Sequence, residues 1–230
     1  MKNGKSFRLN YEKKAAFTLA EILITLGIIG MVAALTMPSL IGNYKKQQTI
    51  TQLRKAYSAL NQAYRMSVLE NGEFKNWDLD YNSNVEDYFN KYWKPYLKVV
   101  KVCKDYKDCG FEKELPWLQV DGSVSWEYVQ RSHDVLSCIL ADGTFITFRT
   151  PPKNQPNNDP KIRIDTNGYK KPNMNCKDYF WFVLTEKGVV PMDSNLSYDE
   201  INENVKTGGS CLAKIFADGW IIKDDYPWIK

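Results

Sequence analysis

One uncharged apolar run dominates the N-terminal part of the sequence. Residues 22–37 contain no charged side chain, and the run extends to Ile41 if Pro38 and Ser39 are included. About 20 such residues are needed to cross the hydrocarbon core of a bilayer. We therefore predict one membrane-spanning helix of minimal length. Glu21 lies directly before the run, although a charged side chain in hydrocarbon costs about 3 kcal/mol.

The residues before the apolar run are strongly basic. Residues 1–16 hold five Lys or Arg side chains and one acidic side chain, Glu12. Because such an excess of positive charge stays on the cytoplasmic side, we predict a cytoplasmic N-terminus and an exported remainder. Of the 31 basic and 27 acidic residues in the chain, 26 of each remain after this leader. The remainder is neutral, so no nucleic-acid partner is predicted.

All five cysteines follow the apolar run: Cys103, Cys109, Cys138, Cys176 and Cys211. On the predicted topology they face an oxidising compartment, where disulfides are the expected state. We favour a bond between Cys103 and Cys109 because they are close in sequence, and then one between Cys176 and Cys211. The other pairings stay open. With a single histidine, His133, and no CxxC motif, no zinc site is predicted.

The pattern after the apolar run is that of an amphipathic helix. Its apolar residues recur every three or four positions on otherwise polar sequence: Ile50, Leu53, Tyr57, Leu60, Tyr64 and Val68. Asn71 and Gly72 supply the residues that close a helix C-terminus. If Pro38 only kinks the chain, both segments form one helix from about residue 18 to 70. A short coiled coil is the alternative, with three heptads or fewer in its favour.

Residues 72–230 predict one globular domain of mixed α and β structure, large enough for its own core. Ser83 and Glu86 form a capping-box pattern before a short helix, which Pro95 ends. Residues 149–161 contain four prolines and three asparagines, which predicts an exposed loop.

The remaining segments of this domain predict strands. One hairpin is indicated around Asp142-Gly143, and a further turn at Lys187-Gly188 joins two β-rich runs. The tail from Cys211 predicts a short helix or strand, a turn at Asp218-Gly219 and a final strand. The fold class is therefore α+β, with a long N-terminal helix and a C-terminal antiparallel sheet.

The sequence contains no nucleophile elbow, Walker loop, HExxH motif or dinucleotide-binding fingerprint. His133 precedes an aspartate, a pairing that is typical of a surface residue. Asp165 and Asn167 before Gly168 make a fragment of a calcium-loop pattern, but a tight turn is the favoured interpretation. We therefore predict no catalytic residue, no cofactor and no metal.

Six lysines alternate with aromatic residues in one stretch: Lys91, Tyr92, Trp93, Lys94, Tyr96, Lys98, Lys101, Lys104, Tyr106 and Lys107. Such a pattern fits either a surface for nucleic acid or anionic glycan, or a solvated face over an aromatic core. Asp105 and Asp108 dilute the charge, so we favour the solvated face.

The segment AFTLAEILITLGIIGMVAALTMPSLI, residues 16–41, resembles the N-terminal signature of type IV pilins and type II secretion pseudopilins. The shared positions are a small residue, Phe17, Thr18, Leu19, Glu21 and Pro38. In that family a prepilin peptidase cuts before the phenylalanine and methylates the new amino group. The resemblance implies cleavage between Ala16 and Phe17, and N-methylation of Phe17. The family usually has glycine where this chain has Ala16.

The resemblance also implies that the chain has four segments with different functions. Residues 1–16 are the cytoplasmic leader, residues 17–41 the transmembrane and polymerisation helix, residues 42–71 its amphipathic continuation, and residues 72–230 a pilin-like periplasmic head. Pro38 is the expected kink in the helix. Small residues suited to close helix approach lie in the apolar run: Gly27, Gly30, Ala33 and Ala34.

In this family interpretation Glu21 is the assembly residue. Its carboxylate would pair with the free amino group of Phe17 on a neighbouring subunit, because two buried opposite charges are costly alone and tolerable together. The expected function is that of a structural subunit, a minor pilin or pseudopilin, and not of an enzyme. The expected partners are the prepilin peptidase, other subunits and the inner membrane, and the expected destination is a cell-surface or periplasmic filament.

Two other functions fit parts of the sequence. Val32 and Ala34 are spaced for a signal-peptidase cut after Ala34, which would release a soluble disulfide-bonded protein beginning at Leu35. A single-pass anchored enzyme is the third possibility, but it requires a set of titratable groups that the sequence does not display.

Overall fold

A computed structural model describes residues 17–77, 85–129, 134–151 and 159–228. Four sequence predictions therefore lie outside the described residues: the leader with Ala16, the capping residue Ser83, His133, and most of the loop at 149–161. The chain divides into two compact units, Met1–Tyr44 and Lys45–Lys230.

The first helix, α1, runs from Leu19 to Asn71, close to the limits predicted from the periodicity. It continues through Pro38; a kink at this residue stays a prediction. Gly72 ends the helix with a positive φ of 83°, and its N–H donates to the carbonyl of Val68. A glycine suits this position because it adopts left-handed backbone angles without a steric penalty.

A six-stranded antiparallel sheet forms the centre of the second unit. Its strands are β1 (Val99–Val102), β2 (Val135–Leu140), β3 (Phe145–Arg149), β4 (Lys161–Asp165), β5 (Tyr179–Thr185) and β6 (Gly188–Pro191). Each strand pairs with the next one along the chain, so the sheet is a meander with β1 and β6 at its edges. The predicted hairpins at Asp142-Gly143 and Lys187-Gly188 are both confirmed.

In its described part, the second unit also holds three short α-helices, α2 (Val85–Tyr92), α3 (Tyr198–Val205) and α4 (Cys211–Ala217), and two 3₁₀ helices, Phe74–Asn76 and Lys94–Tyr96. The predicted short helix before Pro95 is α2. Ser197 caps α3, because its hydroxyl accepts from the N–H of Glu200 while the Glu200 carboxylate accepts from Ser197. This reciprocal capping box satisfies the backbone N–H groups of Ser197 and Glu200 at the helix start.

The predicted apolar stripe of α1 lies in the main core. Leu53, Leu60 and Ala63 are fully buried there, together with sheet residues such as Phe148 and Phe182. Tyr57 and Val68 of the same stripe are partly buried. The α+β prediction, with a long N-terminal helix and a C-terminal antiparallel sheet, is therefore confirmed.

The predicted final strand after α4 is wrong. Residues 220–222 are not part of any strand, and Trp220 adopts a positive φ of 65° that breaks an extended run. The tail is held by side chains instead, since Ile222 and Tyr226 are buried and the Tyr226 hydroxyl donates to the carbonyl of Cys176. The strand was predicted from the β-rich composition of the tail, and composition does not show contacts with distant residues such as Cys176.

Two disulfide bonds link Cys103 with Cys109 and Cys176 with Cys211. These are the pairs that the sequence analysis favoured. Cys138 is a free thiol on β2, fully buried in the core, and burial raises its pKa to about 12. Because the thiolate is the reactive form, Cys138 is an inert core residue at neutral pH.

Candidate functional site

The candidate site begins where α1 begins. Thr18 precedes the first helical residue, and its backbone N–H and its hydroxyl each donate to Oε2 of Glu21 at 2.8 Å. In return the N–H of Glu21 donates to the Thr18 hydroxyl at 3.2 Å. These bonds form a capping box, in which a side chain at the third helical position reaches back to the cap.

The capping box gives Glu21 a structural role that the sequence analysis missed. The signal was present as threonine followed three residues later by glutamate, directly before an apolar run. Only Oε2 takes part in the box; within the described chain Oε1 accepts no hydrogen bond. Glu21 therefore stabilises the helix start and still presents one carboxylate oxygen outward.

The helix after Glu21 is apolar around its whole circumference. Its large apolar residues from Ile22 to Ile41 are exposed in the single chain, as is Phe17 at 82%. By length and composition α1 is capable of crossing a membrane, and none of its apolar window is buried. A helix that is hydrophobic on every side needs an apolar surrounding that the single chain does not supply.

The two glycines inside this apolar stretch have open space beside them in the described part of the single chain. A Cβ added to Gly27 or Gly30 would have no atom within 4 Å. Glycine in a helix interior is unfavourable by about 1 kcal/mol relative to alanine, so a contact outside the single chain would explain its presence. Small residues in membrane helices permit close approach of a second helix.

The second unit contains a buried polar network around Arg163 of β4. Its guanidinium lies 3.6 Å from the centre of the Trp117 ring, and one of its amino groups donates to the carbonyl of Tyr128 and the hydroxyl of Thr147. Its other amino group lies 3.6 Å from a carboxylate oxygen of Glu127. Burial lowers the pKa of Arg163 to about 10, so the side chain stays charged at neutral pH. The network fixes the segment from Trp117 to Tyr128 against the sheet.

Two buried carboxyls lie beside this network. Asp165 accepts from the Trp117 indole and from the N–H of Asn167, while Asp178 accepts from the N–H groups of Asn173 and Met174. Burial, and then the charge of Asp178, raise the pKa of Asp165. Burial raises the pKa of Asp178 to about 6.

The calcium-loop fragment is a tight turn in the structure. Asp165 and Asn167 close the turn after β4 through their own hydrogen bonds, and the Asn167 amide donates to Asp178. In the part of the chain that the structure describes, no three His, Cys, Asp or Glu side chains converge to hold a metal ion. Local hydrogen bonds hold Asp165 and the N–H groups of Asn167 in this turn, while Oδ1 of Asn167 is buried and has no partner among the described residues.

The lysine-rich stretch overlies a core of aromatic rings. Trp93 and Tyr92 are buried, so neither ring presents a face on which a base could stack. Lys101 lies 3.0 Å from Asp108, which neutralises part of the charge. For these residues the structure agrees with a solvated face over an aromatic core.

A surface cleft of about 350 Å³ lies at the C-terminal end of α1. Its charged residues are Glu73, Lys75 and Glu186, and Lys75 pairs with Glu73 at 2.7 Å. Aromatic residues Tyr64 and Phe74 form its wall. No nucleophile with an adjacent base lines this cleft.

Comparison with known protein families gives a match over most of the chain. A model for a family of unknown function, DUF6613, matches residues 39–229. The chain belongs to this family. No curated protein and no solved structure matches it.

The DUF6613 match begins at Ser39, within α1, and extends through the sheet domain. It therefore leaves out most of the apolar run and the whole capping box at Thr18. Since the DUF6613 description carries no activity, a functional argument for this member depends on the residues before Ser39 and on the chemistry of its surface.

Proposed function

We propose that this DUF6613 protein is a structural subunit of a type IV pilus-like or type II secretion filament. A prepilin peptidase removes residues 1–16, and Phe17 becomes the methylated N-terminus. Before assembly the subunit is anchored in the inner membrane with its head in the periplasm. It then assembles with other subunits through its N-terminal helix and remains in a periplasmic or cell-surface filament.

The proposal rests on the position of Glu21 and on its unpaired carboxylate oxygen. This carboxylate lies at the first turn of an apolar helix, and Oε1 has no partner within the described chain. Cleavage before Phe17 would create an ammonium group four residues away in sequence. On a neighbouring subunit this ammonium is the natural counter-charge, since an unpaired carboxylate in an apolar bundle is strongly unfavourable.

The surface of the helix supports the same proposal. Apolar side chains cover all sides of the helix over residues 22–41. Such a surface suits contact with lipid before assembly and contact with other helices after it. Among the described residues, none lies where a Cβ at Gly27 or Gly30 would meet it, so packing within the single chain does not explain these glycines. Both features are expected of a segment that leaves the bilayer for a bundle of identical helices.

The head supports an exported location. Two disulfides stabilise it, and such bonds persist in oxidising compartments. The basic leader before Phe17 favours a cytoplasmic N-terminus by the charge asymmetry of membrane proteins. Both features support the proposal that the head lies outside the cytoplasm.

Two variants separate the proposed charge pairing from helix capping. Glu21→Gln removes the charge but can still reach back to the cap, because glutamine also occurs at this position of capping boxes. Thr18→Val removes the capping hydroxyl and keeps the charge. Incorporation is measured by photocrosslinking between subunits from a probe residue placed at Leu40, in cells that carry the assembly machinery.

The proposal expects Glu21→Gln to lower crosslinking at least tenfold, with the protein still inserted in the membrane. Thr18→Val should keep at least half of the crosslinking. The reverse ranking would assign Glu21 to capping alone and remove the pairing from the proposal.

The mature N-terminus tests processing separately. Co-expression with a prepilin peptidase should yield a chain that begins at methylated Phe17, as measured by intact-mass and peptide mass spectrometry. A chain that begins at Leu35 would instead support the soluble secreted protein. An intact leader under conditions that process a known prepilin would exclude the processing step.

A further inference from the structure

The connection between β6 and α3 carries an acceptor pattern for N-linked glycan. Asn195 is followed by Leu196 and Ser197, and this is the only asparagine of the sequence with serine or threonine two positions later. The pattern N-x-S/T marks the asparagine to which oligosaccharides are attached in exported proteins. Asp193, two residues before Asn195, adds a negative charge to the same segment.

The structure presents Asn195 on the surface. The connection from Pro191 to Ser197 folds as successive turns, in which Ser194 donates to Pro191 and Leu196 donates to Asp193. The Asn195 side chain is exposed, and its amide has no hydrogen-bond partner among residues 17–77, 85–129, 134–151 and 159–228. An enzyme can therefore reach this side chain without breaking a hydrogen bond to any described residue.

We propose that Asn195 is a glycosylation site, modified by an oligosaccharyltransferase that uses a polyprenyl-diphosphate-linked oligosaccharide. In the transfer the bond between the sugar C1 and the diphosphate oxygen breaks, and C1 bonds to Nδ2 of Asn195. The nitrogen loses one proton, and the polyprenyl diphosphate leaves with the electron pair. The product carries a glycan on the head surface, beside the start of α3.

Ser197 has two roles in this proposal. Its hydroxyl belongs to the acceptor pattern that the transferase must recognise. The same hydroxyl donates to Glu200 at 2.7 Å and caps α3. Releasing a cap of this kind costs about 1 kcal/mol, which the binding of an enzyme can supply. In the same segment a carboxylate oxygen of Asp193 accepts from the Ser210 hydroxyl at 2.8 Å.

The modification in cells depends on the proposed function, since it requires the head to lie outside the cytoplasm. The acceptor property of the segment does not. The test therefore begins with the purified full-length protein in detergent, mixed with a purified bacterial oligosaccharyltransferase and its lipid-linked oligosaccharide. Trypsin releases the segment from Gly188 to Lys206 as one peptide, whose mass reports the occupancy.

We expect the peptide to gain the mass of one oligosaccharide in wild type and none in Asn195→Gln. Ser197→Thr should keep the modification. Ser197→Asp should abolish it while α3 stays capped, because aspartate is as good a cap as serine.

Failure of wild type to react would overturn the proposal if a control acceptor peptide is modified in the same tube. In cells that express the transferase, the same peptide should be occupied. Occupancy in vitro without occupancy in cells would count against the exported head, and so against the proposed function rather than the acceptor site.

Discussion

The side-chain amide of Asn61 pairs with the backbone of Val189. Its Nδ2 donates to the Val189 carbonyl at 3.0 Å, and the Val189 N–H donates to its Oδ1 at 3.2 Å. Asn61 lies on α1 and Val189 on β6, the last strand of the sheet, so one side chain of the helix takes the place that a further strand would occupy. An edge strand covered in this way is protected from pairing with another chain.

Removing this amide should destabilise the head. Asn61→Ala leaves the N–H and carbonyl of Val189 without partners, at a cost of about 1–3 kcal/mol in the free energy of unfolding. Urea denaturation followed by circular dichroism measures the change. Gln62→Ala is the matched control, since Gln62 is exposed on the same helix and its loss should change stability by less than about 0.5 kcal/mol. Equal effects in the two variants would contradict the bridging role.

Gly188 should tolerate no side chain. It begins β6 with a φ of 119°, and an added Cβ would lie 2.7 Å from Oδ1 of Asn61. Gly188→Ala is therefore expected to cost about 1–3 kcal/mol through backbone strain and displacement of Asn61. Gly122→Ala is the control, because Gly122 also has a positive φ but open space around it, so that only the strain applies. A smaller loss in Gly188→Ala than in the control would contradict the contact with Asn61.

The buried carboxyls predict that stability rises as the pH falls from 7.5 to 5. The pKa of Asp178 in the folded protein is raised to about 6, and that of Asp165 is raised as well. These carboxyls therefore bind protons more readily in the folded state, whereas in the unfolded state they stay ionised down to about pH 4. The expected gain is about 1–3 kcal/mol. Urea midpoints at the two pH values measure it.

Asp165→Asn is the control for this pH dependence. It removes one of the two buried carboxyls that bind a proton in the folded protein, so the gain at pH 5 should shrink, whereas burial still raises the pKa of Asp178. An unchanged pH profile in Asp165→Asn would show that other groups cause the dependence. The comparison stays above pH 4, where ion-paired carboxylates elsewhere in the protein also take up protons.

The two disulfides should contribute unequally. Cys176 and Cys211 are 35 residues apart, whereas Cys103 and Cys109 are six apart. Because a cross-link restricts the unfolded chain more when it closes a longer loop, we expect losses of about 4 and about 2 kcal/mol respectively in paired alanine variants. Thermal unfolding of the two double variants gives the ranking. A larger loss for the short loop would contradict the entropic argument.

Processing offers a prediction outside the head. Ala16 occupies the position where prepilins usually have glycine, so Ala16→Gly should raise the rate of leader removal by a prepilin peptidase. A time course of cleavage on denaturing gels measures the rate. Ala16→Leu is the control and should block cleavage, whereas equal rates in all three proteins would exclude prepilin-type processing at this bond.

The predictions that succeeded rest on local patterns. The stripe from Ile50 to Val68 defined the buried face of α1, and Asp142-Gly143 and Lys187-Gly188 defined two hairpins, because a helix face and a two-residue turn each depend on neighbours in sequence. The favoured cysteine pairs also coincide with the observed bonds.

Other features depend on residues far apart in sequence. The final strand was predicted from composition, yet Trp220 turns the chain and Tyr226 anchors the tail to Cys176. The pairing of Asn61 with Val189 also has no signal in the sequence. Only the tertiary structure brings such groups together.

The sequence by itself determined where the apolar segment, the helix and the hairpin turns lie, since periodicity and turn residues act over a few positions. The tertiary structure decided which polar groups are buried and what they bond. Arg163 and Asp165 are ordinary charged residues of a strand in the sequence, and they became a buried network because the segment from Trp117 to Tyr128 packs over β4. Desolvation and long-range contacts exist only once the chain has folded, and they set the pKa values and the stability of the head.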